Sequence, residues 1–260
     1  SLSIHPFFKK SVIVQNQKTE WRLLNNRDHQ NFKSTSENSR LYLSKNYDGS
    51  ITAEYSANNS NIHRLVFTNK RKQWNKFALG KHVSALISLP NREKRRERSH
   101  DYSISFKIND ILMINESVIW PKDLDEITGS IELRGNPGTF ALEDLIAWRD
   151  NGGTIVIERI QFERAPSKLI VKGTLALDAD LKPIGAGTID FAGLATFLNE
   201  QQQAGRITKS EASFLNLAIL VLSKTTKQQE KSMIRIPITA QNGKLKIGSF
   251  SLFDLPGLIR

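Results

Sequence analysis

The chain has no cysteine among its 260 residues, which excludes disulfide frameworks, thiolate zinc sites and cysteine nucleophiles. No apolar run approaches the roughly 18 residues of a membrane span. The longest, 217–222 (Leu-Ala-Ile-Leu-Val-Leu), has the length of a short buried segment. The five histidines, His5, His29, His63, His82 and His100, show no spacing of the H-x-x-x-H kind that sets two ligands on one helix face. A G-x-S-x-G elbow is also missing. Gly185-Ala-Gly187 makes half of a dinucleotide fingerprint, but Asp190 stands where the third glycine belongs. A strand pattern follows it instead of a helix, so that motif fails on context. Carboxylates cluster at Asp123/Asp125/Glu126 and at Asp178/Asp180. General acid–base work needs two carboxyls held apart across a substrate, whereas adjacent acids in a turn make a solvated loop. The expectation is a protein that is not an enzyme and holds no cofactor and no metal.

What is present is alternation. Strands are predicted wherever apolar side chains recur at every second residue. Tyr102, Ile104, Phe106 and Ile108 share one parity, as do Leu169, Val171, Leu175 and Leu177. Ile155 and Ile157 are followed, after a slip of one residue, by Ile160 and Phe162. Short strands are expected at 11–15 and 21–24, with a polar loop over 25–38 between them and the next. Asp48-Gly49 reads as a hairpin turn, Asn58–Asn61 as another turn, and 62–68, a pair around 77–89, 111–120 and 127–133 as further strands. From 154 to 191 three strands run into a helix, with Asp190 as its expected cap and Leu194, Phe197 and Leu198 at helical spacing. Two more helices are expected. One follows Thr139 and closes at Asn151-Gly152; the other opens at Thr208-Lys-Ser-Glu211 and is apolar nearly all round from Phe214 to Leu222. A last hairpin turns at Asn242-Gly243, and Pro237 demotes its strand to an edge or a bulge.

The fold class is therefore α+β and β-rich: a large antiparallel, curved sheet, or two, with about three helices in the C-terminal half. A boundary near Asn136-Pro-Gly138 would divide an N-terminal β region, 1–135, from a C-terminal region of sheet plus helices, 136–260, unless the two are one continuous domain.

The net charge of +11 is uneven. Residues 1–130 carry 21 basic and 13 acidic side chains, against 16 and 13 in the remainder. Such a bias favours an anionic surface as partner. Lys70, Arg71 and Lys72 with Trp74, and Arg95 and Arg96, are the candidate anion-binding residues. Both runs sit at expected hairpin tips, and Glu93 and Glu97 interleave the second, so nucleic acid is not the expected partner.

Trp148 with Gly152-Gly153, Gly173-Thr-Leu-Ala-Leu-Asp178, Pro183-Ile-Gly185 and Ile236-Pro-Ile238 are joined by 242–245 (Asn-Gly-Lys-Leu), Gly248 and Leu255-Pro256. Together they resemble the bacterial DUF 2125 family over about 136–258, and more distantly AsmA-like envelope proteins. The resemblance implies a cell-envelope setting, on the periplasmic face of the inner membrane. It also implies a curved sheet offering an apolar surface to lipids. A membrane anchor is common in such proteins, and a chain that begins at Ser1 is expected to have had something upstream removed. The expected function is binding or passing lipids or other apolar molecules, with a lipid or membrane surface as partner. Polyanion binding by the basic half and a purely structural envelope role are the alternatives. Leu175, Leu177, Ile189, Phe214, Leu217 and Leu220 are the candidate apolar lining.

Overall fold

The computed structural model describes residues 2–4, 11–23, 32–68, 71–90, 102–114, 123–138, 141–205, 207–210, 212–213, 216–217, 233–248 and 250–255. Among them are thirteen strands: β1 Leu2–Ile4, β2 Ser11–Leu23, β3 Phe32–Lys45, β4 Ile51–Thr68, β5 Arg71–Leu89, β6 Tyr102–Met113, β7 Asp123–Arg134, β8 Thr154–Arg164, β9 Ser167–Leu177, β10 Pro183–Ala192, β11 Met233–Gln241, β12 Lys244–Ile247 and β13 Phe250–Asp254. Two helices are described whole, α1 Leu142–Asp150 and α2 Leu194–Gln203. Of the expected third helix over 208–222, residues 209–210, 212–213 and 216–217 are described and are helical, and 211, 214–215 and 218–222 lie outside the described residues. Among the described residues the expectation of about three helices is thus corrected to two complete ones.

Every strand pairs antiparallel with its neighbour in sequence, giving one sheet in the order β1 to β13. The sheet runs unbroken past Asn136, with β7 and β8 in register from Glu126↔Glu163 to Arg134↔Thr154. Sequential pairing fits the sequence, because most apolar-alternating runs are followed by a short connection able to reverse the chain, the helix-bearing segments after β7 and β10 being the longest.

Register turns the alternation within strands into rows across the sheet. One row passes through Ile4, Val12, Leu43, Ala53, Ile87, Ile104, Ile131, Ile157, Gly173, Gly187 and Ile238. The next passes through Leu2, Val14, Leu41, Tyr55, Ala85, Phe106, Gly129, Ile160, Val171, Ile189 and Ile236. Through the described side chains, one face of the sheet is therefore apolar from Val14 in its second strand to its eleventh. The slip in β8 is a β-bulge: the pairing with β7 steps from Ser130↔Arg159 to Ile131↔Ile157, leaving Glu158 extra. The bulge restores Ile160 and Phe162 to the apolar side, which a regular strand would have lost.

Several expectations need correction. The two short strands at 11–15 and 21–24 are one, β2, and residues 32–38, expected as loop, form the start of β3. Asn58–Asn61 is strand interior. Asn59 adopts a left-handed φ of 47°, level with Asn38 at 46° in β3 and Asp110 at 49° in β6. Asparagine and aspartate tolerate that conformation, so the asparagine cluster marks an irregularity that the strand runs through. The buried positions of β4 accordingly step from Ala57 to Ser60, three apart instead of two. Asp123, Asp125 and Glu126 open β7 and do not form a turn. Thr139, the expected cap of α1, lies outside the described residues.

Other expectations hold. Asp48-Gly49 turns the β3–β4 hairpin, with Gly49 at φ 83° and Asn46 N–H bonded to Ser50 O at 2.8 Å. Asn151-Gly152 closes α1. Pro237 faces Thr188 of β10 on one side, while β12 pairs only with Thr239–Gln241 on the other. At Pro237 the strand is locally an edge, where a missing N–H costs nothing.

Candidate functional site: the apolar face of the sheet

Both helices lie on the apolar face, and both sit over its C-terminal half. Leu194, Phe197 and Leu198 of α2 pack on Leu169, Phe191 and Ile236, with Phe162, Val171 and Ile189 alongside. Each such side chain contributes roughly 1.5–3 kcal/mol on burial. The Phe191 and Phe197 rings are tilted at 56° with centroids 5.3 Å apart, a favourable edge-on arrangement. Nearer the other end of the strands, Trp148 of α1 packs on Leu177 and Leu181, flanked by Leu133 and Ile155. Trp148 is 3% exposed, and its indole N–H donates to Arg134 O at 2.7 Å. A Cβ on Gly153 would lie 2.2–2.3 Å from the indole atoms, so the glycine after the helix is what lets the ring lie down.

Ion pairs fasten the same assembly. Arg164 of β8 donates from Nη1 to Glu200 of α2 at 2.6 Å and from Nε to Asp123 of β7 at 3.3 Å. Burial works against the charged guanidinium, but the hydrogen bond with Glu200 and the charges of Asp123 and Glu200 outweigh it. The Arg164 pKa therefore stands above its ordinary value. Asp190 is not the cap of α2. It sits inside β10 on the polar face and accepts two hydrogen bonds from Arg235, at 2.6 and 2.9 Å. The residue at the cap is Gly193, at φ 72°, with no side-chain hydrogen bond. Asp178, read as a turn acid, accepts from the backbone N–H groups of Asp180 and Lys182.

The glycines of the failed fingerprint also lie on the apolar face. Gly173 and Gly187 face one another across β9 and β10. A Cβ on Gly187 would come within 2.3 Å of Lys172 O and 3.1 Å of the Gly173 Cα. Neighbouring backbones approach too closely there for any side chain, so these positions require glycine. At Gly129 the ring of Phe106 fills the place where a side chain would stand.

Across β3 to β6 the apolar face is different. Among the described residues no helix packs on it. Leu41, Leu43, Ala53, Tyr55, Val83, Ala85, Ile87, Phe106 and Ile108 are half-buried. Ile51 and Ile104 are 41% and 42% exposed. On the same face under the helices, Leu169, Leu177, Phe191 and Ile236 are 5–6% exposed. Among the described residues one face thus has a closed half and an open half.

The expected lining falls mainly in the closed half. Leu177 is core beneath α1, Ile189 packs beside the α2 cluster, and Leu175 is half-buried opposite Ile155. Leu217 is 63% exposed; Phe214 and Leu220 lie outside the described residues. The open rows, with Ile87 and Ile104 at their centre, were missed as lining. Their alternation was visible in the sequence, but which half the helices cover was not. Of the anion-binding candidates, Lys70, Arg95 and Arg96 lie outside the described residues. Arg71, Lys72 and Trp74 are placed by backbone register opposite Thr68, Phe67 and Leu65 at the start of β5. Among the described residues no group of three histidine, aspartate or glutamate side chains is placed to hold a metal ion. No helix there is long and apolar enough to cross a membrane.

Fold and face together define a class: a long antiparallel meander with one apolar face, half covered by helices among the described residues. The chain belongs to the family described as an uncharacterized protein conserved in bacteria (DUF2125), whose family model matches residues 97–256. That span takes in β6 to β13 with both helices, and leaves β1 to β5 outside it. No curated protein and no solved structure matches the chain.

Proposed function

We propose that the chain is a non-enzymatic cell-envelope protein that binds or passes lipids, or other apolar molecules, along the open half of its sheet. The observation that carries this reading is the row Leu43–Ala53–Ile87–Ile104. Further along the same face helices cover Leu169, Leu177, Phe191 and Ile236, while this row stays half-buried to exposed among the described residues. Contiguous exposed apolar surface on a monomer marks a ligand or a partner, and rows several strands wide suit an acyl chain better than a compact solute. The basic N-terminal half supports an anionic headgroup beside the open rows, at about 1 kcal/mol per well-placed charge. Native mass spectrometry of the purified protein tests the reading. Co-purified lipid that is retained at high salt, and lost on Ile87→Glu with Ile104→Glu, is the expected result. A protein free of lipid that also takes up none from mixed vesicles sinks it.

Polyanion binding is the second reading, favoured by the excess of basic residues before position 131. It predicts binding that falls steeply with salt, the opposite of lipid retention.

A further inference from the structure

The polar face of the same strands carries a hollow of about 680 Å³, within the range of small-ligand sites. Two register rows build it. Tyr42, Glu54 and Leu86 stand side by side on β3, β4 and β5. In the next row Arg40, Ser56, Ser84 and Lys107 follow one another from β3 to β6. The two serines make a low floor. Arg40 and Lys107 stand at its ends, three strand spacings or roughly 14 Å apart along the backbone. Tyr42 and Leu86, the latter 43% exposed, give the second row an apolar surface.

The polar groups of this hollow are largely unspent. Arg40 meets Gln15, whose amide oxygen accepts from Nε at 3.0 Å, and no carboxylate among the described residues pairs with it. The Glu54 carboxylate and the Tyr42 hydroxyl have no partner among the described residues either. Lys107 is bonded to Glu126 at 2.5 Å yet is half exposed. A ligand fitting the hollow therefore needs an anionic group for Arg40 and hydroxyls for Glu54 and the serines. It also needs a C–H-rich ring face to lie on Tyr42 and Leu86. Those demands meet in a sugar ring bearing a carboxylate or phosphate. A bare anion would leave Glu54 and Tyr42 unused, and an acyl chain would strand all the polar groups.

We propose that this hollow binds a short acidic oligosaccharide, its charged group on Arg40 and a ring on Tyr42. The site lies on the face opposite the open apolar rows and stands or falls independently of lipid binding there. Isothermal titration of the whole chain with a hyaluronan tetrasaccharide, a phosphorylated disaccharide, neutral chitotetraose and inorganic phosphate tests it. At least one acidic sugar should bind saturably, at least about tenfold tighter than chitotetraose or phosphate. Arg40→Ala and Tyr42→Ala should each weaken that binding by about tenfold, the scale of one lost charged or stacking contact. Both side chains are on the surface of long strands, so far-UV circular dichroism should not change. Ile104→Glu, on the other face, should leave sugar binding as it was. The proposal is overturned if neither acidic sugar binds, if phosphate or chitotetraose binds as well, or if the Arg40 and Tyr42 variants bind like the parent.

Discussion

Replacing Trp148 tests whether α1 is held to the sheet by one ring. The side chain is 3% exposed, touches Leu177 and Leu181, and donates its N–H to Arg134 O. Truncating a buried aromatic to alanine costs about 3–5 kcal/mol. For a chain of this size that lowers Tm by roughly 6–20 °C. Trp148→Phe keeps much of the packing but leaves the Arg134 carbonyl without its donor, so about 1–3 kcal/mol is expected. The sharper test is coupling to Gly153, whose Cβ would strike the indole at 2.2 Å. Gly153→Ala alone should destabilise by about 1–3 kcal/mol, as overpacking does. In the Trp148→Ala background the added methyl enters vacated space and should cost far less, a coupling of more than about 1 kcal/mol. Urea unfolding of the four proteins, analysed at constant m-value, reads these differences. Additive costs within about 0.5 kcal/mol would refute the claim that Gly153 is there for the ring.

At Asn59, with φ 47°, Asn59→Gly should be close to neutral and Asn59→Ala should cost about 1–2 kcal/mol; equal stability of the two by thermal melt would mean the irregularity relaxes away. Arg235→Met leaves the Asp190 carboxylate, on a residue 7% exposed, without its guanidinium. A loss of about 1–3 kcal/mol in urea is expected, below the 3–5 of a fully buried pair because Arg235 is itself half exposed. Restoration of parent stability by Asp190→Asn in that background checks that the charge is responsible.

Much of the fold was legible because side-chain parity is a local property. The runs Tyr102–Ile108 and Leu169–Leu177 announce strands. Asp48-Gly49 and Asn242-Gly243 announce turns, and even the bulge at Glu158 showed as a one-residue slip between Ile157 and Ile160. Where parity was obscured, the reading failed. The asparagines at 58–61 imitate a turn by composition, while cross-strand pairing to 79–82 keeps them within the strand. Asp190 has the chemistry of a cap, but its position opposite Arg235 was set by the β10–β11 register across a separation of 45 residues in the chain.

The site divides in the same way. The sequence by itself determined that one face of the sheet is apolar along its length, since alternation needs no partner to be read. It also determined that no cysteine chemistry is available. Which part of that face is closed, and which is open, depends on where α1 and α2 land. Leu177 and Ile87 look alike in sequence, each an apolar residue in an alternating strand. Only the packing of Trp148 makes the first core, and only the position of Ile87 beyond the reach of either described helix leaves the second half-buried. Likewise Arg40, Tyr42 and Lys107 lie up to 67 residues apart in the chain, and it is strand register, a long-range property, that gathers them around one hollow.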